Sequence, residues 1–349
     1  MAFRARACVV ALAALVAFAS AAKADDLAQF YRGRQVHLLI GFGAGGGYDL
    51  IARLVARHMG AHFPGGTAQV LPQNMPGAGS LTAANHIASV AARDGTVLAS
   101  IASGIPAAPL VNPEKAKFDS RQLSWLGSAA KETQIDIVWH TSPVKTIEQL
   151  RDHELIIGGT GPGAATDDFP AVLREVLGFK FKLIPGYKST KDVELAMERG
   201  EVQGLAATTW NSTKSRDSDW LRDKKIIIMT QYGVTKHPEL PDVPLIWDYV
   251  KNDADRKALN LVFSRQEMGR PYVAPPQLPA DRLKAMRDAF DATMSDPAFR
   301  ADADKAQLEV DSLNGQQVTD LVAELYEVPA ATIERVRKAL SGTSRAVRE

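Results

Sequence analysis

Short apolar runs bounded by glycine, proline or polar residues recur along the chain, at Val36–Ile40, Gln69–Leu71, Val97–Ile101, Ile135–Trp139, Leu155–Gly158, Phe181–Ile184, Val202–Ala206 and Ile226–Thr230. Their brevity and β-branched content predict strands. Between them the apolar positions fall at helical spacing. Ser80 opens one such stretch through Ala91, Thr166 or Asp167 opens another toward Leu177, and Ser189 or Thr190 caps a third through Glu198, with Gly200 as its stop. Strands alternating with helices predict an α/β protein with mixed, mostly parallel sheets flanked by helices. The rhythm breaks after Thr230: Pro238, Pro241 and Pro244 punctuate a link, and mainly helical sequence follows from Ala254 to Leu340. This tail is expected to cover the sheet built by Val36–Ile101. The chain is therefore expected to form one body from residues 25–131 and 233–349 and a second from residues 132–232, with two crossings that make a hinge.

The N-terminus changes the setting. Arg4 and Arg6 precede an apolar run from Ala7 to Ala19, and Ala22-Lys23-Ala24 offers a cleavage site before Asp25, so residues 1–24 read as an export signal cleaved after Ala24. The run is too short to span a bilayer, and no later stretch reaches the roughly 20 apolar residues a membrane helix needs. Cys8, the only cysteine, lies inside this signal, which leaves no disulfide afterwards. Cleavage removes Arg4, Arg6 and Lys23 from the 41 basic residues and none of the 40 acidic ones, moving the formal charge from +1 to about −2. That balance gives no basis for a nucleic-acid partner. The mature length exceeds what one core usually serves, in agreement with two bodies.

Candidate chemistry concentrates in glycine-rich loops. The strand Val36–Ile40 runs into Gly41-Phe42-Gly43-Ala44-Gly45-Gly46-Gly47-Tyr48-Asp49, and a helix begins at once. Bare N–H groups and the positive end of a helix dipole then converge on one spot, a site suited to a carboxylate or phosphate. Gly41, Gly43 and Gly46 fit the dinucleotide spacing, but Met59–Gly77 contains no acidic residue to hold a ribose, and Tyr48-Asp49 stands where a phosphate loop needs its cation. No cofactor is expected. Gly46 is expected in a turn with positive φ, and Asp49 as a cap of the helix. A second such device, Gly158-Gly159-Thr160-Gly161-Pro162-Gly163-Ala164-Ala165-Thr166-Asp167, lies in the expected second body, so the two loops are expected to face each other across a cleft. A third cluster, Asn74 to Ser80, also precedes a helix, with Ser80 as its N-cap. No G-x-S-x-G pentapeptide occurs, which argues against serine hydrolysis.

Other side chains add less. His58 and His62 stand four apart on one helix without the glutamate of a metalloprotease motif, so no metal is expected. Trp139, Trp210 and Trp220 read by default as packed aromatics, with Trp210 after Thr208-Thr209 the best placed to touch a ligand. Lys188, after Tyr187, and Arg270 are the cations nearest the expected loop ends.

In order and spacing these segments resemble the substrate-binding receptors of tripartite tricarboxylate transporters, the Bug family of periplasmic binding proteins, over nearly the whole mature length. The family's F-P-P-G-G-x-x-D-x-x-A-R reads here as Phe42-Gly43-Ala44-Gly45-Gly46-Gly47-Tyr48-Asp49-Leu50-Ile51-Ala52-Arg53, its N-x-P-G-A-G as Asn74-Met75-Pro76-Gly77-Ala78-Gly79, its D-G-x-T-L as Asp94-Gly95-Thr96-Val97-Leu98 and its P-Y-K-G as Pro185-Gly186-Tyr187-Lys188. Three departures stand out. Gly43 and Ala44 replace both loop prolines, Tyr48 replaces a small hydroxyl residue, and Asp167-Asp168 stands where the second loop usually leads to a histidine. The resemblance implies a Venus-flytrap receptor in the periplasm, a monomer that binds a small organic carboxylate and delivers it to membrane permease subunits. The expected ligand contacts are Phe42, Gly43, Ala44, Gly46, Gly47, Tyr48 and Asp49 on the first loop, Thr160, Gly161, Gly163 and Thr166 on the second, and Ser103, Tyr187, Thr209 and Trp210 around them. A helix end contributes roughly 0.3–1 kcal/mol, whereas micromolar binding needs about 8. Several charge-assisted hydrogen bonds of about 1.5–3 kcal/mol each are therefore required. An enzyme on the same scaffold would need a nucleophile, base or metal set that the sequence does not offer. A ligand sensor would look the same in sequence.

Overall fold

A computed structural model describes residues 26–345; the expected export signal, with Cys8 and the cleavage site after Ala24, lies outside the described residues. Eleven strands build two sheets. The first contains β1 (Gln35–Ile40), β2 (Gln69–Asn74), β3 (Val97–Ser100), β4 (Ser124–Ser128), β10 (Pro271–Ala274) and β11 (Leu313–Asn314), in the order β11-β4-β10-β3-β1-β2. The second contains β5 (Gln134–Trp139), β6 (Leu155–Gly158), β7 (Phe181–Ile184), β8 (Gly204–Thr209) and β9 (Ile226–Gln231), in the order β7-β6-β8-β5-β9. Both are mixed. A parallel block, β2-β1-β3 or β7-β6-β8, is completed by antiparallel strands.

β10 is the strand that the apolar pattern conceals. It is only Pro-Tyr-Val-Ala, buried throughout, and it returns from the helical tail to lie antiparallel between β3 and β4. β8 runs further than its apolar run suggests, through Thr208 and Thr209, because β5 continues to pair with it there across an irregularity between Ile135 and Ile137. The helical tail divides its packing. Ala280–Ser295 and Pro297–Lys305 pack on the helix Gly47–Met59 of the first sheet, while Asp253–Phe263 and Ala330–Arg345 lie against Ala165–Leu177, the helix that follows β6. One apolar core accordingly runs from Leu39 and Trp125 through Ile157 and Phe169 to Phe263 and Val336. His58 and His62 pair with Asp302 and Asp296 of the tail.

Two expected caps differ. Ser80 is left-handed at φ 78°, accepts no N–H of Leu81–Ser89 through its side chain, and packs against Gly41, where an added Cβ would lie 1.8 Å from its Oγ. The serine stands at the N-cap position as expected, but its side chain packs on the first loop and not on the helix N–H groups. At the first loop the positive φ falls on Gly45, at 80°, and Gly46 is extended with φ −76°. Asp49 sits in the first turn and reaches back to the Gly45 N–H at 2.9 Å, with Arg53 and Asn74 on its other edges. Burial draws its carboxyl upward, but these donors outweigh burial and hold it below the ordinary range.

Candidate functional site

Four helices end their chains of N–H groups at one cavity between the two sheets. Gly46, Gly47 and Tyr48 open the helix Gly47–Met59 on one wall, and Ala164, Ala165 and Thr166 open Ala165–Leu177 on the other. No side chain caps either end. Ser189 and Thr209, also on the wall, do cap the helices Thr190–Glu198 and Trp210–Arg216, each accepting an N–H from the first turn. Uncapped helix ends normally find water or a ligand, and two of them aimed into a shared enclosure form an anion site. The cavity volume is about 50 Å³, room for several waters.

Among the described residues, Arg270 is the one charged side chain on the lining. Only 3% of it is exposed. Its Nε donates to Glu132 Oε1 at 2.5 Å, its Nη2 donates to Thr209 Oγ1 and Ser212 Oγ at 2.9 Å each, and its guanidinium lies 4.4 Å above the Tyr48 ring. Burial works against its charge, but the Glu132 carboxylate outweighs it and the cation is held firmly protonated. Tyr48 is fixed in turn: it stacks on Phe42, donates to the Gly269 carbonyl and accepts from the Ser103 N–H. The tyrosine that replaces the family's small hydroxyl thus forms the floor under the arginine.

The second loop works differently from expectation. Its Gly161 N–H donates to Asp167 Oδ2, its Gly163 N–H to Asp168 Oδ1, and its Thr160 N–H to Thr166 Oγ1. Those donors are already engaged, so the anion-facing groups on this wall are the helix end at Ala165 and the hydroxyls. Asp168 is further paired with Arg265 at 2.9 Å. Burial pushes Asp167 up to about 7. The two acids that seemed out of place beside an anion site therefore serve as the loop's internal acceptors.

Of the residues expected from sequence, Phe42, Gly46, Gly47, Tyr48, Ser103, Thr160, Thr166 and Thr209 line the cavity. The others lie elsewhere. Gly43 donates its N–H to the Lys188 carbonyl across the cleft, and Ala44 faces solvent. Asp49 is turned inward, as described. Gly161 and Gly163 pack toward the Gly77–Gly79 loop and, with Tyr187, border a separate outer groove; a Cβ at Gly79 would stand 2.5 Å from the Gly161 carbonyl. Trp210 turns its Nε1 to Glu239. Gln134, Ser189, Thr190, Thr208, Ser212 and Arg270, with Ala102, Ala164, Ala165 and Ala207, complete the wall. A cap signal marked Ser189, but nothing local marks Gln134 or says that Arg270 turns inward. Away from the cavity, His237, Glu239 and Glu309 bring ligand atoms within 4.8 Å of one another, and Lys214 sits among the acids, 2.7 Å from Glu239 and 2.8 Å from Glu309.

Behind the wall, Asp136 occupies the irregular point of β5. One oxygen accepts the N–H of Ala207, a cavity-lining residue held at φ 48°, and the other accepts the Tyr232 hydroxyl at 2.7 Å. Complete burial pushes this carboxyl up to about 7. Between about pH 4 and 7 the folded protein then keeps a proton that the unfolded chain has released, so this group makes stability fall as pH rises through that window and leaves it level above. Asp136→Asn is expected to lose less stability than the parent between pH 5 and 7.5 in urea unfolding. Parallel curves for the two proteins count against the assignment.

Comparison with known proteins places this geometry. Residues 51–337 match the family described as tripartite tricarboxylate transporter family receptor. The UPF0065 protein in the gbd 5' region of Cupriavidus necator is 26% identical over 350 residues, covering 96% of this chain and 97% of that one. Among solved structures, the periplasmic binding protein BugD superposes with a TM-score of 0.70 at 20% identity, covering 88% of this chain and 98% of its own. MatC from Rhodopseudomonas palustris, solved with bound malate, gives 0.66 at 19% identity with coverages of 88% and 99%. The R. palustris protein Rpa4515, solved with adipate, gives 0.68 at 18% with 88% and 97%. At these identities the likeness of structures is a likeness of the two-domain binding-protein fold, whereas the match to the family spans most of the sequence: the chain belongs to the tripartite tricarboxylate transporter receptor family.

Proposed function

We propose that the protein is a periplasmic receptor that captures a small organic carboxylate between its two sheets and delivers it to the membrane subunits of a tripartite tricarboxylate-type transporter. One observation carries this reading: two uncapped helix N-termini and a buried arginine converge on one small enclosure. Malate and adipate, bound in two proteins of the same fold, are small organic acids of this kind. The hydroxyls of Ser103, Thr190 and Thr208 add neutral donors around the enclosure. Several charge-assisted bonds of about 1.5–3 kcal/mol each reach the roughly 8 kcal/mol of micromolar binding after the costs of closure.

In this reading residues 25–131 with 233–349 form one body and residues 132–232 the other, and the ligand holds them together. The Gly43 to Lys188 bond and the interlocked Gly79 and Gly161 loops belong to the closed form. Calorimetric titration of the mature protein with a panel of carboxylic acids should find a micromolar ligand, and small-angle scattering at saturation should record a smaller radius of gyration. A saturating acid that leaves the radius unchanged speaks against closure. A panel without any binder speaks against the carboxylate.

A further inference from the structure

We propose that the amide of Gln134 is a specificity-determining group of the cavity: it accepts from a neutral hydroxyl next to the ligand's carboxylate, and so selects against the same acid carrying a hydrogen or an ammonium group at that carbon. The inference rests on the carboxylate reading above and specifies what stands beside the acid. Gln134 begins β5, lines the cavity and is only 2% exposed. Its backbone is fully engaged, the N–H donating to Gln266 Oε1 at 2.9 Å and the carbonyl accepting the Tyr232 N–H at 3.0 Å. Its side-chain Oε1, by contrast, is buried without a hydrogen-bond partner.

Two other buried glutamines nearby show a completed amide. Gln266 accepts the Gln134 N–H and donates to the Tyr232 and Phe263 carbonyls; Gln231 accepts the His237 N–H and donates to the Leu240 and Val243 carbonyls. Of the three, Gln134 is the one that lines the cavity and the one whose acceptor is empty. Thr209, opposite it in the pairing of β5 with β8, does not fill the acceptor, because its hydroxyl donates to Ser212 Oγ. An unpaired buried acceptor is costly, and on the wall of a binding cavity a donor on the ligand completes it. A carboxylate or a methylene has no proton to give; a hydroxyl has one. An ammonium has three but brings a charge, and among the described residues no carboxylate lines the cavity to meet it: Glu132 is spent on Arg270, and Asp167 on the Gly161 N–H and the Thr166 hydroxyl. Taking that charge out of water unpaired, in the same enclosure as the Arg270 cation, is penalised heavily.

The test titrates the mature protein calorimetrically with two series that differ only at one carbon: propanoate, lactate and alanine, and succinate, malate and aspartate, with both enantiomers of each chiral acid. In the series that binds more tightly, the better hydroxy-acid enantiomer is expected to exceed the unsubstituted acid about 3- to 10-fold and the amino acid at least about 10-fold. Gln134→Leu keeps the approximate volume and removes the acceptor, so hydroxy and unsubstituted acids should then bind within about twofold of each other. Its stability in urea should equal or exceed the parent's, because an apolar group replaces an unpaired amide, which separates lost preference from lost fold. A parent that binds the unsubstituted or the amino acid as tightly as the hydroxy acid, or a Gln134→Leu protein that keeps the parent's preference, overturns this inference and leaves the carboxylate reading standing. So does a Gln134→Leu protein less stable than the parent, since the fold itself would then be using the amide. Failure of every member of both series to bind overturns both readings.

Discussion

Gly47→Val is expected to abolish ligand binding in a protein that still folds. A Cβ at this position would lie 2.0 Å from Ser212 Oγ and 3.0 Å from Arg270 Nη2, and the branched methyls would reach further. Gly47 opens a 13-residue helix, a conformation that valine tolerates with only a small loss of propensity, so the local fold survives. Relief comes from moving the second wall away. That opens the enclosure, separates the two helix ends and costs at least two charge-assisted contacts, or about 100-fold or more in affinity. Gly46→Ala provides the graded control, since its Cβ would meet Ser189 Cβ at 3.1 Å, tight but within reach of a small adjustment. Parental affinity in a folded Gly47→Val protein, with folding followed by circular dichroism, is incompatible with the cavity as the binding site.

Arg270→Met should have the largest effect on stability. Glu132 and Arg270 are both buried, and removing one partner leaves the other's charge uncompensated, which costs about 3–5 kcal/mol. Adding Glu132→Gln should recover most of that loss, because a paired replacement strands no charge. Urea unfolding of the three proteins decides it. A loss below about 1 kcal/mol for Arg270→Met shows that the pair with Glu132 is not what holds this wall together.

Much of this architecture is written in local sequence. The apolar runs around Val36, Leu155 and Phe181 mark their strands because each is short, bounded by turn residues and paired in a parallel block. β10 could not be read that way: four residues beginning with proline acquire their strand character from β3 and β4 on either side, a tertiary circumstance. The first loop shows itself through its glycines, and its helix end does open on the cavity. The second loop misleads for a specific reason. Glycines advertise free N–H groups, but whether those groups are free depends on Asp167 and Asp168 turning back on them, and side-chain direction is not carried by spacing. The same limit conceals Arg270, whose sequence neighbourhood of Met268, Gly269 and Pro271 says nothing about the distant Glu132, Thr209 and Tyr48 that hold it in place.

The replacement of the family's first loop proline by Gly43 has an effect on tolerance to mutation. Proline has no N–H, so the main-chain bond from residue 43 to the carbonyl of residue 188 is available only to a chain that has lost it. The acceptor is Lys188's backbone and its side chain faces solvent, so that side chain can drift through many residue types without touching the bond. Glycine is also the freest residue in an unpaired loop, and ordering it costs more entropy than ordering a pre-set proline would. The main-chain rivet is thus one hydrogen bond gained against one loop stilled, and a comparison of side chains at position 188 registers nothing of it.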